Sequence, residues 1–177
     1  MDRVDIGKVR ASTTERVLRT VLGSCASVCL YDPILHVGGM NHILVPSSTS
    51  DHGTAERCGV QAMELLINEM MRLGADRRRF IAKAFGCANV ISGFQNPTIG
   101  EANAQFVREF LKLEGIPLVA ERMGGTKAVQ LNFHTGTGKA YLRAVDGSRL
   151  PLLMREELAY LNTRAIDRFR APEPIVF

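Results

Sequence analysis

A chain of 177 residues, 46% of them hydrophobic, is long enough for one domain with a sizeable core. No apolar run approaches the roughly 18 residues that span a bilayer, and the opening MDRVDIGKVR lacks the apolar stretch of a secretory signal, so membrane insertion and export are not expected and the expected compartment is the cytoplasm. A net charge of +4, with no long basic stripe, no RNA-type aromatic motif and no tryptophan, describes a solvated surface rather than one for nucleic acid, and leaves room for acidic protein partners.

In chain order, residues 3–10 read as a short strand, for which Gly7 is a poor strand former, and 11–16 as a polar loop. Val17 to Leu22 is a strand, Gly23-Ser24 breaks it, and Ala26 to Leu30 resumes an extended apolar pattern. Tyr31-Asp32-Pro33 is turn chemistry. Leu35 to Val45 reads as a strand, and the Gly38-Gly39 pair within it predicts a bulge, a close backbone approach or a simple bend. The polar stretch 46–53 predicts a loop that can form a cleft rim. Thr54 to Leu73 is a helix capped by Thr54 and stopped at Gly74, with Val60, Met63, Ile67, Met70 and Met71 on its apolar side. Phe80 to Phe85 is a strand. A second helix starts at Thr98 or Gly100 and runs to Leu113. Strands follow over 116–121, 129–134 and 139–145, the last two joined by the TGTG turn. Arg155 to Phe169 is a terminal helix, with Pro172 and Pro174 in an extended tail. This order, without strict βαβ alternation, predicts a single α/β (α+β) domain over 1–177, its mixed layered sheet or sandwich flanked by two main helices.

The chemistry centres on residues 20–46, TVLGSCASVCLYDPILHVGGMNHILVP. Cys25 follows a Gly-Ser turn, and His42 comes seventeen residues later in a second apolar run. A thiol and an imidazole on neighbouring strands suffice for acyl transfer from an amide. Gly23 permits a tight backbone, Ser24 can donate a hydrogen bond, and the flanking amides can form an oxyanion hole. By spacing alone the pair is a weak signal, because most free cysteines are buried small hydrophobes. Thr20 can orient the imidazole, or it can face solvent as an ordinary strand threonine. Asn41 points to the opposite strand face from His42 and makes a poor third member. The cysteines at 25, 29, 58 and 87 match no zinc template, the four histidines are scattered, and no phosphate-binding glycine motif occurs, so neither a metal nor an organic cofactor is expected.

LGSCASVCLYDP followed by GGMNHILVP resembles the signature of the bacterial chemoreceptor glutamine deamidase CheD family. The resemblance continues through AKAFGCANV, IGEANAQFVREFL, GIPLVAERMGG and TGTGK, is strongest over 15–145, and leaves 150–177 as a C-terminal helix and tail. It implies a CheD-like fold and hydrolysis of selected glutamines on methyl-accepting chemotaxis receptors to glutamate and ammonia. It also implies Cys25 as nucleophile, His42 as general base and Thr20 as the third member, with no cofactor. A CheC-type phosphatase is a further partner that it implies. Two positions depart from the family pattern. Cys87 stands where many members have a second glycine, and Val129 where many have an arginine. Two other readings use the same residues: a non-catalytic adaptor that binds the phosphatase or receptors, and another acyl transfer at Cys25, such as proteolysis or transamidation.

Overall fold

The computed structural model describes residues 1–45, 52–90 and 98–167, and the expected tail around Pro172 and Pro174 and most of the expected 46–53 loop lie outside them. Strands β1 (Asp2–Arg3), β2 (Val9–Ser12), β3 (Val17–Leu22), β4 (Ala26–Asp32) and β5 (Val37–Asn41) precede helix α1 (His52–Arg72). Then come β6 (Ile81–Gly86), α2 (Ile99–Leu113), β7 (Leu118–Met123), β8 (Val129–His134), β9 (Ala140–Ala144) and α3 (Leu150–Asp167). The strands form two sheets, one ordered β1-β3-β8-β9 and the other β2-β5-β4-β6-β7. Parallel pairs β1/β3 and β6/β7 sit among antiparallel ones, so both sheets are mixed, as the sequence predicts.

Hydrophobic patterning explains the layers. Strand β3 buries every second residue, Leu18, Thr20 and Leu22, on one face. Strands β4 and β5 are buried throughout, which a central strand covered on both faces requires. On one face of the five-stranded sheet, Val28, Leu30 and Ala82 pack with Ile67 and Met70 of α1 and Val107 and Leu111 of α2. On the other face, Cys29 and Met40 meet Leu18, Leu22, Leu131 and Phe133 of the four-stranded sheet. The result is three layers: helices, five-stranded sheet, four-stranded sheet.

Several expectations need correction. Residues 3–10 are not one strand, because β1 and β2 belong to different sheets and a turn at Ile6-Gly7 separates them. The strand expected over 35–45 starts at Val37, after the turn, and Ile43 continues it only as a bridge to Ala26. Helix α1 begins at His52, so Thr54 lies inside its first turn instead of capping it. Met63, Ile67 and Met70 are buried as expected, but Val60 and Met71 are exposed and Leu66 takes the core position. Helix α2 starts from Thr98, whose hydroxyl and Glu101 close a capping box. The Gly38-Gly39 pair keeps regular register with both neighbours. A Cβ at Gly38 would lie 2.6 Å from the Thr135 carbonyl oxygen, and one at Gly39 2.9 Å from Leu66, so the pair lets the layers close together away from the cysteine.

Asp32 fixes the far end of the β4–β5 hairpin. Its buried carboxyl accepts from the backbone amides of Ile34, Leu35 and Asp76 and from the Arg79 guanidinium. Arg79 first, then those amides, hold the carboxyl well below the usual carboxylate range. A carboxylate with a depressed folded pKa stabilises the fold above the unfolded value and loses that contribution as pH falls through the folded value. Asp32→Asn is expected to cost about 2–4 kcal/mol at pH 7. The gap to the parent protein narrows below about pH 4, where the unfolded chain's carboxyl begins to protonate. Urea midpoints at pH 7 and pH 3 check this, and an equal gap at both would refute it.

Candidate active site

The site forms where the chain crosses from one sheet to the other. Strand β3 ends at Leu22 in the four-stranded sheet, and β4 begins at Ala26 in the five-stranded sheet, so Gly23, Ser24 and Cys25 make the crossing. The β6 end holds this turn by its backbone: the Cys87 amide donates to Cys25 O at 2.7 Å and the Ala88 amide to Gly23 O at 2.7 Å. Cys87 adopts φ 59° to do so, a left-handed conformation that glycine adopts more readily.

Two alternations aim the side chains. Met40, His42 and Leu44 face the space between the sheets, whereas Asn41, Ile43 and Val45 face the helices. The Asn41 side chain there accepts from the Val28 amide at 2.9 Å, a structural contact. From the opposing sheet, Thr20 stands between Leu18 and Leu22 on the inward face. Ala26 and Ile43 exchange backbone hydrogen bonds of 2.8 and 2.7 Å, which brings Cys25 and His42 side by side.

Cys25 Sγ lies 2.8 Å from His42 Nε2, and His42 Nδ1 lies 2.8 Å from Thr20 Oγ1 and 3.2 Å from the Val4 carbonyl oxygen. A carbonyl can only accept, so the Val4 contact assigns the proton to Nδ1. Nε2 is then free to accept the thiol proton, the tautomer that a general base at this cysteine needs.

A fourth side chain completes the cluster. Glu157 of α3 is fully buried, with Oε1 3.0 Å from Cys25 Sγ. Its Oε2 accepts from Ser24 Oγ at 2.6 Å and from the Ser24 amide at 3.3 Å. A Cβ at Gly23 would sit 2.7 Å from Glu157 Oε1, so only glycine leaves the carboxyl room. Burial pushes the Cys25 thiol well above its ordinary range, and the charge of Glu157 and the hydrogen bond to it push it further. Burial likewise draws the His42 imidazole from 6.5 down to about 4, against the Val4 carbonyl, which raises it. With α3 seated, the pair rests as neutral thiol and neutral imidazole.

The structure thus brings together Cys25, His42, Thr20, Gly23 and Ser24, and it overturns the solvent-facing alternative for Thr20, which is only 3% exposed. Glu157 and the Val4 carbonyl were not singled out from sequence. A signal for Glu157 exists: Leu150, Leu153, Tyr160 and Leu161 form a helical stripe with Glu157 in its middle. A helix begun at Arg155 hides it, because half the stripe then falls outside. The observed helix starts at Leu150 and carries Pro151 in its first turn, where proline is tolerated. Among the described residues, no group of three or more His, Cys, Asp or Glu side chains is placed to hold a metal ion, and no helix is long and apolar enough to cross a membrane.

The family described as CheD chemotactic sensory transduction matches residues 44–144, a span that begins just after His42. A Stenotrophomonas maltophilia (strain K279a) protein named "Probable chemoreceptor glutamine deamidase CheD" is 44% identical over 142 residues, covering 80% of this chain and 69% of the relative. A protein of the same name from Xanthomonas euvesicatoria pv. vesicatoria is 43% identical over 82% of this chain and 71% of its own. A Chromobacterium violaceum protein named "Probable chemoreceptor glutamine deamidase CheD 2" is 45% identical over 80% of this chain and 72% of its own. Among solved structures, the Bacillus licheniformis hypothetical protein YfiH aligns over 59% of this chain and 45% of its own at 17% identity and a TM-score of 0.36, too slight a likeness to bear on the fold. With more than two fifths of the residues identical over four fifths of its length, this chain belongs to the CheD family.

Proposed function

We propose that this chain is a chemoreceptor glutamine deamidase, with Cys25 as nucleophile, His42 as general base and acid, and Thr20 as the residue that orients His42. The observation that carries this reading is the 2.8 Å contact of Cys25 Sγ with the unprotonated nitrogen of His42, in a chain whose relatives bear that enzyme's name.

The reaction follows from the residues. A receptor glutamine presents its side-chain amide where the Glu157 carboxyl now lies. His42 Nε2 takes the Cys25 proton as sulfur attacks the amide carbon. The Ser24 amide and hydroxyl, which now donate to a Glu157 oxygen, donate to the oxyanion. His42 gives its proton to the departing nitrogen, and ammonia leaves a thioester. Water, deprotonated by His42, attacks the thioester carbon; the bond to sulfur breaks, the proton returns to the thiolate, and glutamate remains. A cavity of about 350 Å³ reaches Thr20 and His42 and is the proposed path for water and ammonia. The proposed compartment is the cytoplasm. A CheC-type phosphatase is a proposed second partner on family membership alone, and a pull-down from a lysate containing such a phosphatase tests it.

The first test is the mass of a purified receptor cytoplasmic fragment before and after incubation with this protein. The expected result is a gain of about one mass unit at each target glutamine, absent with Cys25→Ala. A receptor converted equally by the alanine variant would sink the thiol mechanism. His42→Ala is expected to lower kcat by about 10²–10⁴-fold. Thr20→Val is expected to cost up to about 100-fold in kcat with KM little changed, since it only frees the imidazole to turn, and Thr20→Ser restores most of the loss. An unchanged kcat in Thr20→Val would remove Thr20 from the mechanism.

A further inference from the structure

Helix α3 is a peculiar neighbour for a nucleophilic cysteine. Glu157 sets a negative charge against a thiol that must ionise, which no packing role requires. Glutamate is, however, what glutamine becomes in the proposed reaction. One Glu157 oxygen meets sulfur and the other takes both Ser24 donors. A carboxylate product would be held in the same way immediately after the thioester is hydrolysed.

The residues around Glu157 define how the site grips a helix. One turn before it, Leu153 is buried with Ala88, Val90 and Ala128. One turn after it, Tyr160 and Leu161 pack against the core between the sheets. The Tyr160 ring lies so close on Gly7 that a Cβ there would be 2.8 Å from its hydroxyl oxygen. These positions, i−4, i, i+3 and i+4, share one face of a helix. The opposite face is open, with Leu152 61% and Leu158 45% exposed. Next to Glu157, Glu156 pairs with Arg3 at 3.4 Å on the surface, a contact of little strength.

We propose that α3 sits in the place of the substrate helix: Glu157 is a built-in product mimic in the amide pocket, and a receptor helix gains access to Cys25 only by displacing α3. The proposal rests on the deamidase reading given above. It assigns the substrate a shape, a glutamine displayed mid-helix with apolar residues one turn to either side. It also assigns α3 a function as an internal competitor of that helix. The short link from Ala144 at the end of β9 to Leu150 keeps α3 tethered while displaced, so it competes at high effective concentration.

The deciding variant is Glu157→Gln in the full chain, which turns the mimic into a substrate. Cys25 then attacks the amide carbon of the introduced glutamine, ammonia leaves with the His42 proton, and water hydrolyses the thioester to restore glutamate and the thiol. Peptide mass mapping of the purified Glu157→Gln protein is expected to show residue 157 converting to glutamate, a gain of about one mass unit. Conversion should be absent in Glu157→Gln combined with Cys25→Ala and slowed by added receptor fragment. Glu157→Ala is expected to lower KM for the receptor fragment with kcat little changed, and to speed Cys25 alkylation by iodoacetamide. An introduced glutamine that persists in a protein active on the receptor overturns the proposal and leaves the deamidase reading standing. An introduced glutamine that converts while no receptor does supports the proposal and removes receptors as the substrate. If neither converts, both readings fall. A loss of kcat in Glu157→Ala would make Glu157 a participant in catalysis and likewise overturn its place as a mimic.

Discussion

Five buried polar side chains, those of Thr20, Ser24, Cys25, His42 and Glu157, form one cluster, and each has to find its partners there. An unpaired polar group in such a place costs on the order of 1–3 kcal/mol, so a group that leaves the cluster has to be replaced by another that satisfies the same partners. Thr20 and Val4 hold one side of the imidazole, the thiol holds the other, and Glu157 divides its oxygens between the thiol and Ser24. Every described buried side-chain nitrogen and oxygen has a partner. Low dielectric makes these contacts strong, and it also keeps the thiol and imidazole neutral. In the proposed reaction an incoming amide replaces the charge beside the sulfur, so that chemistry is gated by what occupies the site.

The frame around the cluster is stiff where precision matters. Cys25 hangs from a crossing turn held by the amides of Cys87 and Ala88, and the β3 and β5 side chains meet it from opposing sheets. Asp32 closes the distal end of the hairpin. In contrast, α3 rests on a few contacts along one face and presents the other to water. Sheet elements and the turn between them therefore carry Cys25 and His42, the proposed nucleophile and base, and a helix with one buried face covers them. The division matches what a site needs when it must open for a large partner.

Much of this was legible in the sequence, for reasons that particular residues make clear. The crossing turn announces itself as Gly23-Ser24 between two apolar runs, and the family resemblance through LGSC and MNH identifies the two residues that the fold then joins. Thr20 was half legible: it breaks a Leu18-Leu22 alternation, which marks it as inward-facing, but the sequence does not say what lies across the gap. Residues 3–10 misled because a turn at Ile6-Gly7 divides strands too short to show their own period. Val60 and Met71 misled because methionine and valine tolerate a helix's exposed edge, where periodicity has a margin of one residue. Glu157 stayed hidden because its partners are 132 and 133 residues away, and a glutamate on a helix reads as surface unless something is known to lie beneath it.

The complete burial of Cys25 also bears on how long the protein lasts. Peroxide attacks thiolates, and it attacks them in proportion to their exposure. A thiol kept protonated and out of solvent enters the path to sulfenic and sulfinic acid slowly, whereas an open, ionised nucleophile would be spent by chance oxidation between encounters. The cover over the sulfur thus also keeps it reduced, so the proposed nucleophile does not age between encounters.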